Sequence, residues 1–161
     1  VIGRKFLTKD FDHLLNFFLI QYTLILAKLR VSDKFEDLLV ITHGYDYTIP
    51  SGDRNPFKSI IRAIEQNGQW IHYPLKDKGI TDPEHQRSIV AAMIDGFNEL
   101  LIRLAEYKDQ QGIYLFPRHI HIDYRGFVAE EEWLDELHPN SKGFSRVAQR
   151  MMDCIEEYYG Q

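Results

Sequence analysis

Leu38-Leu39-Val40-Ile41-Thr42 is a short, unbroken apolar run that ends in His43-Gly44. Unbroken rather than alternating hydrophobicity suits a central strand of a parallel sheet, buried on both faces. Upstream, Thr8 followed by Lys9-Asp10-Phe11-Asp12 reads as a helix start with acidic residues in its first turn, and the pattern predicts a helix to about Arg30. Residues 14–27 of that helix are apolar nearly all round, which predicts cover on most sides. They include Asn16, Gln21, Tyr22 and Thr23 and fall short of the roughly 18–20 apolar residues of a membrane span, so no span is expected.

Downstream of the strand, residues 44–56 are rich in Tyr, Pro, Gly, Asp and Asn and read as an irregular surface loop. Pro56 suits the first position of a helix through Ile60, Ile61 and Ile64 that stops near Asn67-Gly68. Asp82-Pro83-Glu84 opens a longer helix, in which Ile89, Val90, Met93, Ile94, Phe97, Leu100, Leu101 and Leu104 form one apolar stripe. Gly112-Ile113-Tyr114-Leu115-Phe116 and Ile120-His121-Ile122-Asp123 read as extended, with Pro117 breaking them. Ser141 starts a last helix carrying Phe144, Val147, Ala148, Met151, Met152 and Ile155. This order is α/β and predicts a parallel sheet covered by helices. Ligands in such sheets bind beyond the carboxyl ends of the strands, which singles out the loops at residues 43–52 and 125–141.

The chain has 161 residues, enough for one domain with its own core. Its 19 basic and 24 acidic side chains leave a net charge of −5, and the scattered basic residues offer no footprint for nucleic acid. Cys154, the single cysteine, lies in a helical apolar pattern and is expected to be a buried thiol. The chain opens at Val1 with no visible signal peptide, reads as soluble, and gives no indication of compartment. A processed or truncated N-terminus fits that opening.

The densest chemistry lies in Asp135-Glu136-Leu137-His138-Pro139. An Asp three residues before a His, in a turn closed by Pro139, can place its carboxylate on the imidazole Nδ1–H. The Nε2 is then left to act as a general base. Asp123-Tyr124-Arg125-Gly126 and then Trp133-Leu134-Asp135-Glu136-Leu137-His138-Pro139-Asn140-Ser141-Lys142-Gly143-Phe144 resemble the closing segment of SGNH/GDSL hydrolases. The resemblance implies that Asp135 is the orienting acid and His138 the base. Leu39-Val40-Ile41-Thr42-His43-Gly44-Tyr45-Asp46-Tyr47 is similar to the family's G-x-N-D block. There Gly44 matches the glycine, and Asp46 stands in the slot of an asparagine that helps hold the oxyanion.

The family implies a three-layer, flavodoxin-like α/β/α fold. On that reading residues 1–161 form a single α/β domain, the C-terminal part of a larger SGNH hydrolase domain whose N-terminal strand or strands are missing. The G-D-S block that carries the nucleophile is absent, and nothing around Ser51 resembles a nucleophile turn. The implied activity is hydrolysis of acyl or acetyl esters of a small molecule or carbohydrate, with a serine from outside the chain and no cofactor. His43, Tyr45 and Tyr47 are the expected substrate contacts, and Gly44 and Asp46 the expected oxyanion hole. Trp70 and His72, in Gly68-Gln69-Trp70-Ile71-His72-Tyr73-Pro74, can wall a substrate pocket.

Asp46 can also be a loop anchor, because an ionised carboxylate only accepts hydrogen bonds and repels an oxyanion. Two further functions stay open. One is a non-catalytic binding or scaffolding domain derived from the same fold. The other is a metal-dependent hydrolase using His119, His121 and Asp123, which share one face if they lie on a strand. Surface exposed by a missing N-terminal part leads to an expectation of self-association.

Overall fold

The computed structural model of the protein describes residues 2–50 and 70–160. The helix expected from Pro56 through Ile64, together with Ser51 and Gly68, lies outside the described residues. A 3-10 turn at Gly3–Phe6 precedes helix α1 (Lys9–Arg30), and strand β1 (Val40–His43) follows it. Then come α2 (His72–Asp77), α3 (Pro83–Glu106), β2 (His119–Ile122), a 3-10 turn at Glu130–Glu132 and α4 (Ser141–Tyr159).

The helix starts are set by local chemistry. Thr8 accepts from the Asp10 amide at 3.3 Å, and Asp82 from the His85 amide at 2.9 Å with Pro83 in the first helical position. Asn140 accepts from the amides of Lys142 and Gly143 at 3.0 and 3.1 Å. Each such cap satisfies amides that the helix itself cannot, at typically about 1 kcal/mol.

β1 and β2 pair in parallel, with Val40 opposite His119, Ile41 opposite Ile120, Thr42 opposite His121 and His43 opposite Ile122. The chain is thus a mixed helix-and-strand fold around a parallel pair, with α3 packed on both strands, on α1 and on the N-terminal turn. α3 buries Ile89, Val90, Ala92, Leu100, Leu101 and Leu104, while Leu26, Leu104 and Phe116 form a tight cluster beneath β1. Gly3 docks on α3 through its amide, 2.6 Å from Ser88 Oγ, and a side chain there would strike the Ser88 carbonyl.

Three expectations are corrected. α1 is not covered on most sides: only Leu26 is buried, and Phe17, Ile20, Leu24 and Ile25 are each more than half exposed. Among the described residues α1 packs chiefly on α3, and one partner can cover only one stripe of a helix. Residues 112–116 do not form a strand. They make an isolated antiparallel bridge, Lys108 with Tyr114, around a turn in which Gly112 takes a positive φ. Cys154 is half-buried rather than fully enclosed. No helix among the described residues is long and apolar enough to cross a membrane.

Candidate active site

Residues 133–139 close on themselves. The Leu134 amide donates to the His138 carbonyl at 2.8 Å, Trp133 and Pro139 form a bridge, and the Asn140 amide donates to the Glu132 carbonyl at 2.7 Å. Inside this loop, Asp135 Oδ1 accepts from the amides of Leu137 and His138, both at 2.8 Å. His138 Nδ1 lies 3.0 Å from each Asp135 carboxylate oxygen. A carboxylate accepts only, so Nδ1 carries the proton and the neutral ring keeps its lone pair on Nε2. The Asp135 side chain is 17% exposed and that of His138 54%, so the imidazole faces solvent while the carboxylate is shielded. Burial alone pushes the Asp135 carboxyl up. The Leu137 amide and the His138 ring and amide more than offset it and hold the group below the usual carboxylate range.

The turn is braced from three sides. Glu136, 1% exposed, accepts from the amides of Ile71 at 2.7 Å and His72 at 3.2 Å, which fixes the start of α2. Tyr45 donates its hydroxyl to the Leu137 carbonyl and packs its ring 6.3 Å from Trp133. Buried Glu132 accepts from Arg146 at 2.9 Å and the Ala129 amide at 3.1 Å and pairs with Lys142, tying the turn to α4.

Beyond β1 burial goes on alternating: Gly44, Asp46 and Thr48 are buried while His43, Tyr45 and Tyr47 are exposed. Gly44 lies against Asn98, where an added Cβ would fall 1.8 Å from Asn98 Oδ1. Its amide donates to the Ile122 carbonyl at 3.4 Å. Asp46, 5% exposed, accepts from the amides of Tyr47 at 2.6 Å, Gly126 at 2.5 Å and Val128 at 2.5 Å. Those three bonds make it the anchor of the loop after β2. Tyr47 donates to Asp95 at 2.6 Å, and burial followed by that bond pushes its hydroxyl up to about 12. Arg125 joins Asp95 at 3.0 Å to Asp123 at 2.6 Å. His43 donates from Nδ1 to the Gly44 carbonyl at 3.1 Å and sits beside the Tyr124 ring. Of the expected contacts, Tyr45 alone reaches the Asp135–His138 turn through a hydrogen bond among the described residues.

His119 and His121 do share one face of β2, yet both turn to Thr42 Oγ1, at 2.8 and 3.2 Å, and His121 Nε2 lies 3.3 Å from Asn98 Oδ1. Asp123 is held by Arg125, and no group of three His, Cys, Asp or Glu among the described residues is placed to hold a metal. Burial lowers both histidines to about 4, so the fold keeps them neutral. In the unfolded chain each takes a proton near about 6.5. The unfolded state therefore binds more protons between these values, and stability falls as pH drops from about 6.5 to about 4. We expect denaturant midpoints to decline across that window and the slope to shrink in His119→Gln. A flat profile would refute the assignment.

Four buried polar residues that brace the candidate site escape the sequence patterns: Asn98, Gln86, Glu132 and Glu136, all essentially inaccessible. Asn98 donates to the carbonyls of Tyr45 at 3.2 Å and Ile94 at 3.0 Å, and Gln86 bridges the Ile80 carbonyl to His72. For Asn98 and Gln86 the available signal was an uncharged amide interrupting the apolar stripe of α3, since a buried amide has to find partners.

No protein-family model, curated protein or solved structure matches this chain.

Proposed function

We propose that this chain carries the acid and base of a Ser-His-Asp ester hydrolase of the SGNH/GDSL type, acting on acyl or acetyl esters. The observation that carries the reading is His138 Nδ1 at 3.0 Å from both oxygens of a carboxylate that the turn itself immobilises. In this reading a serine outside these 161 residues attacks the acyl carbon. His138 Nε2 takes its proton and returns it to the leaving alcohol, and Asp135 stabilises the transient imidazolium. Backbone amides near Gly44 hold the oxyanion, Tyr45 borders the substrate, and no cofactor takes part.

The three-layer α/β/α fold belongs to the same proposal. It is supported by a parallel pair whose β1 has one neighbour among the described residues, because two strands alone are marginal in water. The exposed apolar face of α1 is also consistent with further chain packing there.

The test is fluorophosphonate labelling of the native full-length protein, followed by mapping of the modified residue. A labelled serine, with labelling lost in His138→Ala, is the expected result. Absence of labelling in wild-type protein that hydrolyses no ester would reject the reading. A non-catalytic binding domain is the second reading, favoured by Asp46, whose carboxylate is engaged by three backbone amides.

A further inference from the structure

A cavity of about 450 Å³ opens between α1, α2 and α3, walled by residues that include Phe11, Phe18, Leu75, Met93 and Phe97. That volume falls in the range of small-molecule sites, which are largely apolar with a few placed polar groups. Tyr45 and Leu137 form part of the same wall. Both belong to the candidate active site: Tyr45 bonds to the Leu137 carbonyl, and the Leu137 amide bonds to Asp135. One side of the cavity is therefore one residue from His138. Trp70 also lines it, whereas Tyr47 is committed to Asp95.

Among the described residues of the wall, the only side-chain oxygens are those of Tyr45 and Thr48. The first is engaged. Thr48 is 6% exposed, and its Oγ1 is buried without a hydrogen-bond partner among the described residues. Buried hydroxyls are nearly always paired, so an orphan in the wall of an apolar cavity points to a partner that arrives from outside. A hydroxyl can donate or accept, so that partner needs only one oxygen.

We propose that this cavity binds the apolar chain of the substrate, a medium-length aliphatic group, with Thr48 Oγ1 hydrogen-bonded to an oxygen of the ligand. As the chain subsite of an ester hydrolase it rests on the reading above. As a binding pocket it can be tested without turnover. The full-length protein is titrated with 1-butanol, 1-hexanol and 1-octanol, none of which is an ester. Affinity is expected to rise by about fourfold for each methylene enclosed. Thr48→Val, close in shape but lacking the hydroxyl, is expected to weaken 1-octanol by roughly tenfold while the fold persists. Met93→Trp, which fills the cavity, should abolish binding. Equal affinity for butanol and octanol, or an unchanged octanol affinity in Thr48→Val, would overturn the proposal. His138→Ala keeps octanol binding, so failure of the pocket and failure of the hydrolase reading give different results.

Discussion

His138→Ala in the full-length protein is expected to lower kcat/KM for ester hydrolysis by about 10⁴-fold or more, because the members of a triad act as a unit. The loss should lie in kcat, since the imidazole moves a proton only as the transition state forms. Asp135→Asn is the more informative companion. Asp135 Oδ1 accepts from the amides of Leu137 and His138 at 2.8 Å, so an asparagine keeps its oxygen there and turns its NH₂ toward His138 Nδ1. The ring must then accept at Nδ1 and carry its proton on Nε2, which is the wrong tautomer for a base. A fall of about 10⁴-fold with the fold intact is expected, as such a tautomer change produces in serine proteases. Activity within tenfold of wild type in either variant would remove the pair from the mechanism.

Asp46→Ala should be the most destabilising single change in the loops, by about 3–5 kcal/mol. It strands three amides at once, and that of Val128 belongs to a residue only 8% exposed. Against a typical total of about 5–15 kcal/mol, such a loss is large enough to read directly from denaturant midpoints. Asp46→Asn separates two roles. Oδ1 serves Tyr47 and Gly126 while Oδ2 serves Val128, so an asparagine sets its NH₂ against the Val128 amide, donor to donor. A cost of about 1–3 kcal/mol without any gain in hydrolysis is expected. A neutral Asp46→Asn that raises activity would instead place this position in the oxyanion hole.

Much of the fold was legible in the sequence because its signals are local. Thr8, Asp82-Pro83 and the start of α4 mark helix beginnings through chemistry completed within a turn. The unbroken run at residues 38–42 and the Ile120-His121-Ile122 segment locate the two strands. The Asp135–His138 contact was legible for the same reason, since both partners sit three residues apart in one turn. What stayed hidden depends on distant chain. Asp46 reads in its motif as either a site residue or a loop anchor, and the loop it anchors is identified only when Gly126 and Val128, 80 and 82 residues later, come alongside. Glu136, between the two candidate catalytic residues, carries no local signal of its burial, because its partners are the amides of Ile71 and His72, 65 and 64 residues earlier. The exposure of α1 was hidden too, because an apolar helix records that it wants cover but not how much it has.

The one-sided pairing of β1 has a consequence for amide exchange. The amides of Val40 and Gly44 donate to the carbonyls of Arg118 and Ile122, and a parallel ladder uses alternate residues. Thr42 therefore joins them, while the amides of Ile41 and His43 point to the opposite edge, where no strand stands among the described residues. Deuterium uptake along β1 is expected to alternate, slow at residues 40, 42 and 44 and fast at 41 and 43. Any strand supplied on that edge, from the same chain or another, would register as new protection at Ile41 and His43 alone.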